Sequence, residues 1–146
     1  MERRGTLLLV EDEAVLRTLV AQFLRNEGYE VQEAEDGGEG VRQFLEEGPF
    51  DLLLVDLKMP VLSGVEVCDR VKRTNPDQKI MVCSAAISRE HEEALRAVGV
   101  DHHLTKPYHP ESLLAHIRQE LVRRAEPRGG PGPGSGVILA SSTTSA

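Results

Sequence analysis

Residues 52–60 read Leu52-Leu53-Leu54-Val55-Asp56-Leu57-Lys58-Met59-Pro60: four apolar residues without a break, an aspartate, then a turn that runs on to Gly64. A strand with one wet face alternates polar and apolar residues, whereas an unbroken run fits a strand covered on both faces, as in a parallel sheet. Two more such runs occur, Leu7-Leu8-Leu9-Val10 and Ile80-Met81-Val82-Cys83. Tyr29-Glu30-Val31-Gln32 alternates and predicts an edge strand. Between the strands, apolar residues recur at helical spacing. Val15, Leu16, Leu19, Val20, Phe23 and Leu24 predict one helix face, which Gly28 ends. Val41, Phe44 and Leu45 predict a second helix, and Val65, Cys68 and Val71 a third. Ala94, Leu95 and Val98 predict a fourth that stops at Gly99, and Leu113, Leu114, Ile117 and Leu121 a fifth. Strand and helix alternate five times, which predicts a doubly wound α/β fold with a parallel sheet and right-handed crossovers.

The chain has 146 residues, a length for one domain. From Ala125 the composition shifts to Pro127, Gly129, Gly130, Pro131, Gly132, Pro133, Gly134 and Gly136. Residues 125–146 therefore read as a flexible tail or truncated linker, and 1–124 as the folded domain. There are 17 Lys and Arg against 24 Asp and Glu, a formal net charge of −7. Residues 1–60 hold most of that excess, with 6 basic and 14 acidic side chains. Such a balance argues against direct nucleic-acid binding, which draws its affinity from Lys and Arg. No segment is long and apolar enough for a membrane span or an export signal, so a cytoplasmic location is the expectation. Cys68 and Cys83 make no disulfide framework. The histidines show no metal-ligand spacing: His102 and His103 are adjacent, and neither His109 nor His116 has a partner three or four residues on.

Chemistry gathers at the strand ends, where open parallel sheets bind their ligands. The first strand runs into Glu11-Asp12, the third into Asp56, the fourth into Ser84 and the fifth into Lys106-Pro107. Taken singly these residues have bland readings: Asp12 as a helix cap, Ser84 as a strand-end serine, Lys106 as a solvated lysine. Together they do not. Like charges about 4 Å apart repel by about 4 kcal/mol at an effective dielectric near 20. A hard divalent cation with oxygen ligands, such as Mg²⁺, relieves that cost. A carboxylate beside Mg²⁺ and a lysine is equipped to accept a phosphoryl group, with Ser84 donating a hydrogen bond to it.

Leu9-Val10-Glu11-Asp12-Glu13, Val55-Asp56-Leu57-Lys58-Met59-Pro60 with Gly64, Ser84-Ala85 and Thr105-Lys106-Pro107 resemble the motifs of bacterial response-regulator receiver domains. The resemblance covers residues 5–124. It implies a flavodoxin-like (βα)₅ domain with strand order 2-1-3-4-5 that takes a phosphoryl group on Asp56 from a sensor histidine kinase or phosphotransfer protein. It also implies a downstream effector protein or domain as partner, and no action on an outside substrate. By motif position Asp12, Asp56 and the carbonyl of Lys58 would ligate Mg²⁺, with Glu11 acting through bound water. Lys106 would pair with the phosphoryl oxygens and Ser84 would swing toward them. A cis Lys106–Pro107 bond is implied as well.

Two positions depart from the family pattern. An aromatic is usual where this chain has His103, and the resemblance implies a switch role there, with mildly acidic pH favouring an outward ring. Where many dimerising members have two acids after the glycine, this chain has Asp101-His102. Asp101 and Arg118 would supply one cross-subunit pair, so a homodimer is left open. A degenerate receiver that only binds partners is the alternative, and the intact Glu11, Asp12, Asp56, Ser84 and Lys106 argue against it. An aspartyl phosphatase would want an acid at the position of Lys58, and a flavin carrier a phosphate loop in place of Glu11-Asp12.

Overall fold

The computed structural model describes residues 4–123. The expected tail or linker, 125–146, lies outside the described residues. The elements in chain order are β1 (Gly5–Val10), α1 (Ala14–Asn26), β2 (Tyr29–Ala34), α2 (Gly37–Glu47), β3 (Leu52–Val55), α3 (Gly64–Thr74), β4 (Ile80–Ser84), α4 (Arg89–Ala97), β5 (His103–Thr105) and α5 (Pro110–Val122). The five strands form one parallel sheet in the order β2-β1-β3-β4-β5. The alternating segment is indeed the edge strand β2, and the unbroken apolar runs are the three inner strands.

Both sheet faces are covered, which is why those runs carry no polar alternation. Leu7, Leu9, Leu52, Leu54, Met81 and Cys83 pack on one side with Val20, Ala21 and Leu24 of α1 and Leu113, Leu114 and Ile117 of α5. Leu8, Val10, Leu53, Val55 and Val82 pack on the other with Phe44 of α2, Val67, Cys68 and Val71 of α3 and Leu95 of α4. Both cysteines are free and buried, and burial pushes each thiol up to about 12.

The apolar faces expected for the first two helices are only partly buried. Val15 and Leu19 are 70% and 59% exposed, and Leu45 is 59% exposed. Each residue turns a helix by about 100°, so the Leu16–Val20–Leu24 row faces the sheet while Val15 and Leu19 stand to its side. Leu45 is likewise one step round from Phe44. Next to Phe44 the buried polar Gln43 donates to the Glu33 carbonyl at 2.9 Å. A second buried amide, Gln78, clamps the segment leading into β3. It accepts from the Phe50 N–H at 3.0 Å and donates to the Phe50 carbonyl at 2.7 Å.

The turn from β3 into α3 sets where Asp56 points. Ser63 and Glu66 form a reciprocal capping box at the start of α3. Gly64 donates its N–H to the Leu57 carbonyl at 2.8 Å. A Cβ on Gly64 would lie 2.4 Å from the Asp56 carbonyl oxygen and 2.7 Å from Leu57 Cα. Backbone atoms cannot yield as a flexible side chain does, so Gly64→Ala should destabilise the fold by about 1–3 kcal/mol in denaturant unfolding. A Gly64→Ala protein as stable as the wild type would contradict this account of the turn.

Candidate functional site

Glu11 and Asp12 follow β1, Asp56 follows β3, Ser84 ends β4 and Lys106 follows β5, so parallel pairing delivers all five to one rim. Carboxylate oxygens of Glu11, Asp12 and Asp56 lie within 4.8 Å of one another. Asp12 is exposed and is not the helix cap: Glu13 holds that position without a side-chain capping bond. Glu11 and Asp56 are buried, at 5% and 8% exposure. The Asp56 N–H donates to the Val10 carbonyl at 3.1 Å, tying the two acid-bearing turns together.

Lys106 reaches across this cluster. Its Nζ lies 2.7 Å from Glu11 Oε1 and 3.8 Å from Asp56 Oδ2. Its N–H donates to the Ser84 carbonyl at 2.9 Å, and the Lys106–Pro107 bond is cis. Burial raises the Asp56 pKa above the ordinary carboxylate value; Asp12 adds to the shift, while Lys106, the Leu57 N–H and Ser84 oppose it. Burial raises Glu11 too, against the opposing hydrogen bond from Lys106. Burial opposes the charge on Lys106, yet its bond to Glu11 and the field of Asp56 outweigh this and raise its pKa.

Sequence reasoning missed one member of the assembly. Arg17 on α1 donates from Nη1 to the Glu11 carbonyl at 2.7 Å, and its Nε lies 3.5 Å from Glu33 on β2. It braces the turn that carries Glu11 and Asp12. Its only signal in the sequence is a basic residue set among the apolar positions of the first helix.

His103 does not point toward Ser84. Its Nε2 lies 3.1 Å from Glu92 of α4, on a half-exposed surface. Asp101 and Arg118 have partners within the chain: Asp101 with Arg123 at 3.9 Å, and Arg118 with Glu27 at 3.8 Å. The pair expected between subunits is thus engaged internally. Lys58 is exposed at the end of the Asp56 turn. Beside the site a groove of about 310 Å³ is lined by Leu16, Ala85, Lys106, Pro107 and Tyr108.

The family model described as the response regulator receiver domain matches residues 7–118. This chain belongs to that family. It is 34% identical over 119 residues to the transcriptional regulatory protein ResD of Bacillus subtilis, covering 82% of this chain and 48% of that protein. It is 37% identical over 121 residues to the response regulator MprA of Mycobacterium leprae, covering 83% and 52%. The chain thus spans about half the length of the curated relatives it matches. Among solved structures, a CheY-like receiver domain protein from Methanospirillum hungatei aligns with a TM-score of 0.77 at 30% identity, over 83% of this chain and 94% of that one. The chemotaxis protein CheY4 of Vibrio cholerae aligns with a TM-score of 0.74 at 30% identity, over 82% and 98%. Receiver domains are modules of two-component signalling, and they bind Mg²⁺. Three clustered carboxylates with oxygen ligands suit such an ion. Among the described residues, no helix is long and apolar enough to cross a membrane.

The raised pKa of Asp56 fixes a sign. A carboxyl whose folded pKa is above its unfolded value destabilises the fold once pH exceeds the folded value, and the penalty disappears below the unfolded one. In metal-free buffer near pH 7, Asp56→Asn should therefore melt a few degrees above the wild type. That advantage should vanish as the pH falls below the ordinary carboxylate range. A variant that melts lower than the wild type at pH 7 would contradict the electrostatic account.

Proposed function

We propose that the domain is a phosphoacceptor switch, not an enzyme acting on an outside substrate, and that Asp56 accepts a phosphoryl group from a histidine kinase or phosphotransfer protein. The observation that carries this reading is the Lys106 ammonium bridging Glu11 and Asp56 at the rim where Asp12 and Ser84 also converge. A carboxylate oxygen of Asp56 attacks phosphorus, the new O–P bond forms as the N–P bond to the donor imidazole breaks, and the departing nitrogen takes up a proton. Asp12, Asp56 and the Lys58 carbonyl would hold Mg²⁺, with Glu11 acting through water, and the ion would supply charge neutralisation on the transferring oxygens.

Lys106 then shifts its weight from Glu11 to the phosphoryl oxygens, and the Ser84 hydroxyl donates to one of them. His103 completes the switch. It must release Glu92 before its ring can turn toward the space that Ser84 vacates. The groove beside Lys106, together with the exposed Val15 and Leu19 on α1, offers the donor protein an apolar approach to Asp56. The rearranged surface binds a downstream effector protein or domain. Residues up to 124 form the receiver unit, and the acidic surface takes no direct part in nucleic-acid binding.

Incubation with a small-molecule phosphodonor and Mg²⁺ should add one phosphoryl group per chain by intact mass. Asp56→Asn should abolish the addition. Lys106→Ala should retain phosphorylation but lose the structural response that follows, read as chemical-shift changes at Ser84 and His103. Unchanged uptake by Asp56→Asn would overturn the assignment of the acceptor.

A further inference from the structure

A second cluster lies at the opposite end of β5, outside the phosphoacceptor site. His102, the residue before β5, places its Nδ1 2.6 Å from Glu120 Oε1 of α5 and its Nε2 3.1 Å from His116 Nδ1 on the same helix. The two ring centroids are 5.3 Å apart and the rings are tilted by 59°. Linear spacing conceals this grouping, because His102 arrives from another element. His116 finds its partner not three or four residues along its own helix but in His102, 3.1 Å away.

From this arrangement we infer that His102 and His116 form a binding site for a borderline transition-metal ion such as Zn²⁺, distinct from the acidic Mg²⁺ site. Metal–imidazole bonds of about 2.0–2.1 Å put adjacent ligand nitrogens roughly 2.9–3.4 Å apart, for square or tetrahedral angles. The observed 3.1 Å separation falls inside that window, and the two rings, which now face each other in a hydrogen bond, need to rotate to aim both nitrogens at one ion. A carboxylate accepts, so the contact of Glu120 puts a proton on His102 Nδ1, and in the neutral ring the Nε2 lone pair then faces His116. A carboxylate behind a ligating imidazole is the outer-shell arrangement that orients such ligands and raises their basicity.

Charges around the cluster are compatible with this role. Glu120 is 2% exposed. Burial alone would raise its pKa, but His102 and Arg123 hold it below the ordinary carboxylate value. Burial and the neighbouring His102 lower the pKa of His116, favouring the neutral ring that a metal requires. Two cations flank the cluster on the Glu120 side. Lys79 Nζ donates to the Glu120, Leu121 and Arg123 carbonyls at 2.8, 3.3 and 2.7 Å. Arg123 pairs with Glu120 at 3.2 Å and Asp101 at 3.9 Å. For binding, the proton on His116 Nδ1 moves to the outer nitrogen, and water fills the remaining positions. Imidazole nitrogens suit Zn²⁺, Ni²⁺ and Cu²⁺ and not Mg²⁺, so the two sites separate by ligand chemistry. The ion would join the start of β5 to the last turns of α5.

The test is a Zn²⁺ titration of the full chain with Mg²⁺ in large excess to occupy the acidic site, followed by calorimetry and by NMR of the histidine rings. One Zn²⁺ per chain should bind, with ring shifts confined to His102 and His116; His91, His103 and His109 serve as internal controls. His116→Gln, a change at a partly exposed position, should weaken binding by more than about tenfold, and Glu120→Gln by a comparable factor. The melting temperature of His116→Gln in metal-free buffer checks that the fold is kept. Zn²⁺ affinity unchanged in His116→Gln would overturn the inference, as would shifts shared evenly among all five rings or no binding at all. The result is independent of phosphorylation at Asp56.

Discussion

One ammonium group stands against three carboxylates at the rim of this sheet, and the functional account depends on that imbalance. Lys106 is 2.7 Å from Glu11 and 3.8 Å from Asp56, so it is already shared before any ligand arrives. Two of the acids are buried, and burial moves both toward their neutral forms. The fold enforces the crowding. In a parallel sheet all strands end on the same side, and β1, β3, β4 and β5 each carry a polar residue at or just past that end. A site built this way is tense when empty of cations, and its charge is ready to be redistributed when a cation or a phosphoryl group enters.

Much of this was legible in the sequence because the governing constraints are local. An unbroken run such as Leu52-Leu53-Leu54-Val55 can be hidden only by covering both faces. The residue that follows each run is then at a strand end by necessity, which located Glu11, Asp12, Asp56 and Ser84. What was not legible depends on tertiary contact. Helical spacing marks an apolar arc but not how much of it the sheet covers, so Val15, Leu19 and Leu45 were expected inside and stand outside. Arg17 acts through a backbone carbonyl six residues before it, a contact that composition does not reveal. His102 and His116 meet only because α5 folds back to bring its later turns to the residue before β5. Asp101 and Arg118 found partners that no pairwise pattern would select, Arg123 and Glu27.

The two ends of β5 carry different chemistry on one short element. Lys106 follows the strand at the oxygen-rich rim, and His102 precedes it at the nitrogen-rich base. Four residues of extended chain separate them by roughly 13 Å. Between them His103 reaches sideways to Glu92 of α4. A displacement of Lys106 along the strand would therefore be felt first by the contact to α4. The base is the better secured of the two, since Lys79 binds three carbonyls at the end of α5 and Glu120 anchors His102.

The most direct measurement of the central claim is the melting temperature of the wild-type chain and of Asp12→Ala across a Mg²⁺ titration at neutral pH. A cation that binds only the folded site stabilises it by mass action, and here it also relieves repulsion among Glu11, Asp12 and Asp56. The wild-type melting temperature should rise with Mg²⁺, and that rise should be much reduced in Asp12→Ala. A wild-type melting curve indifferent to millimolar Mg²⁺ would contradict it.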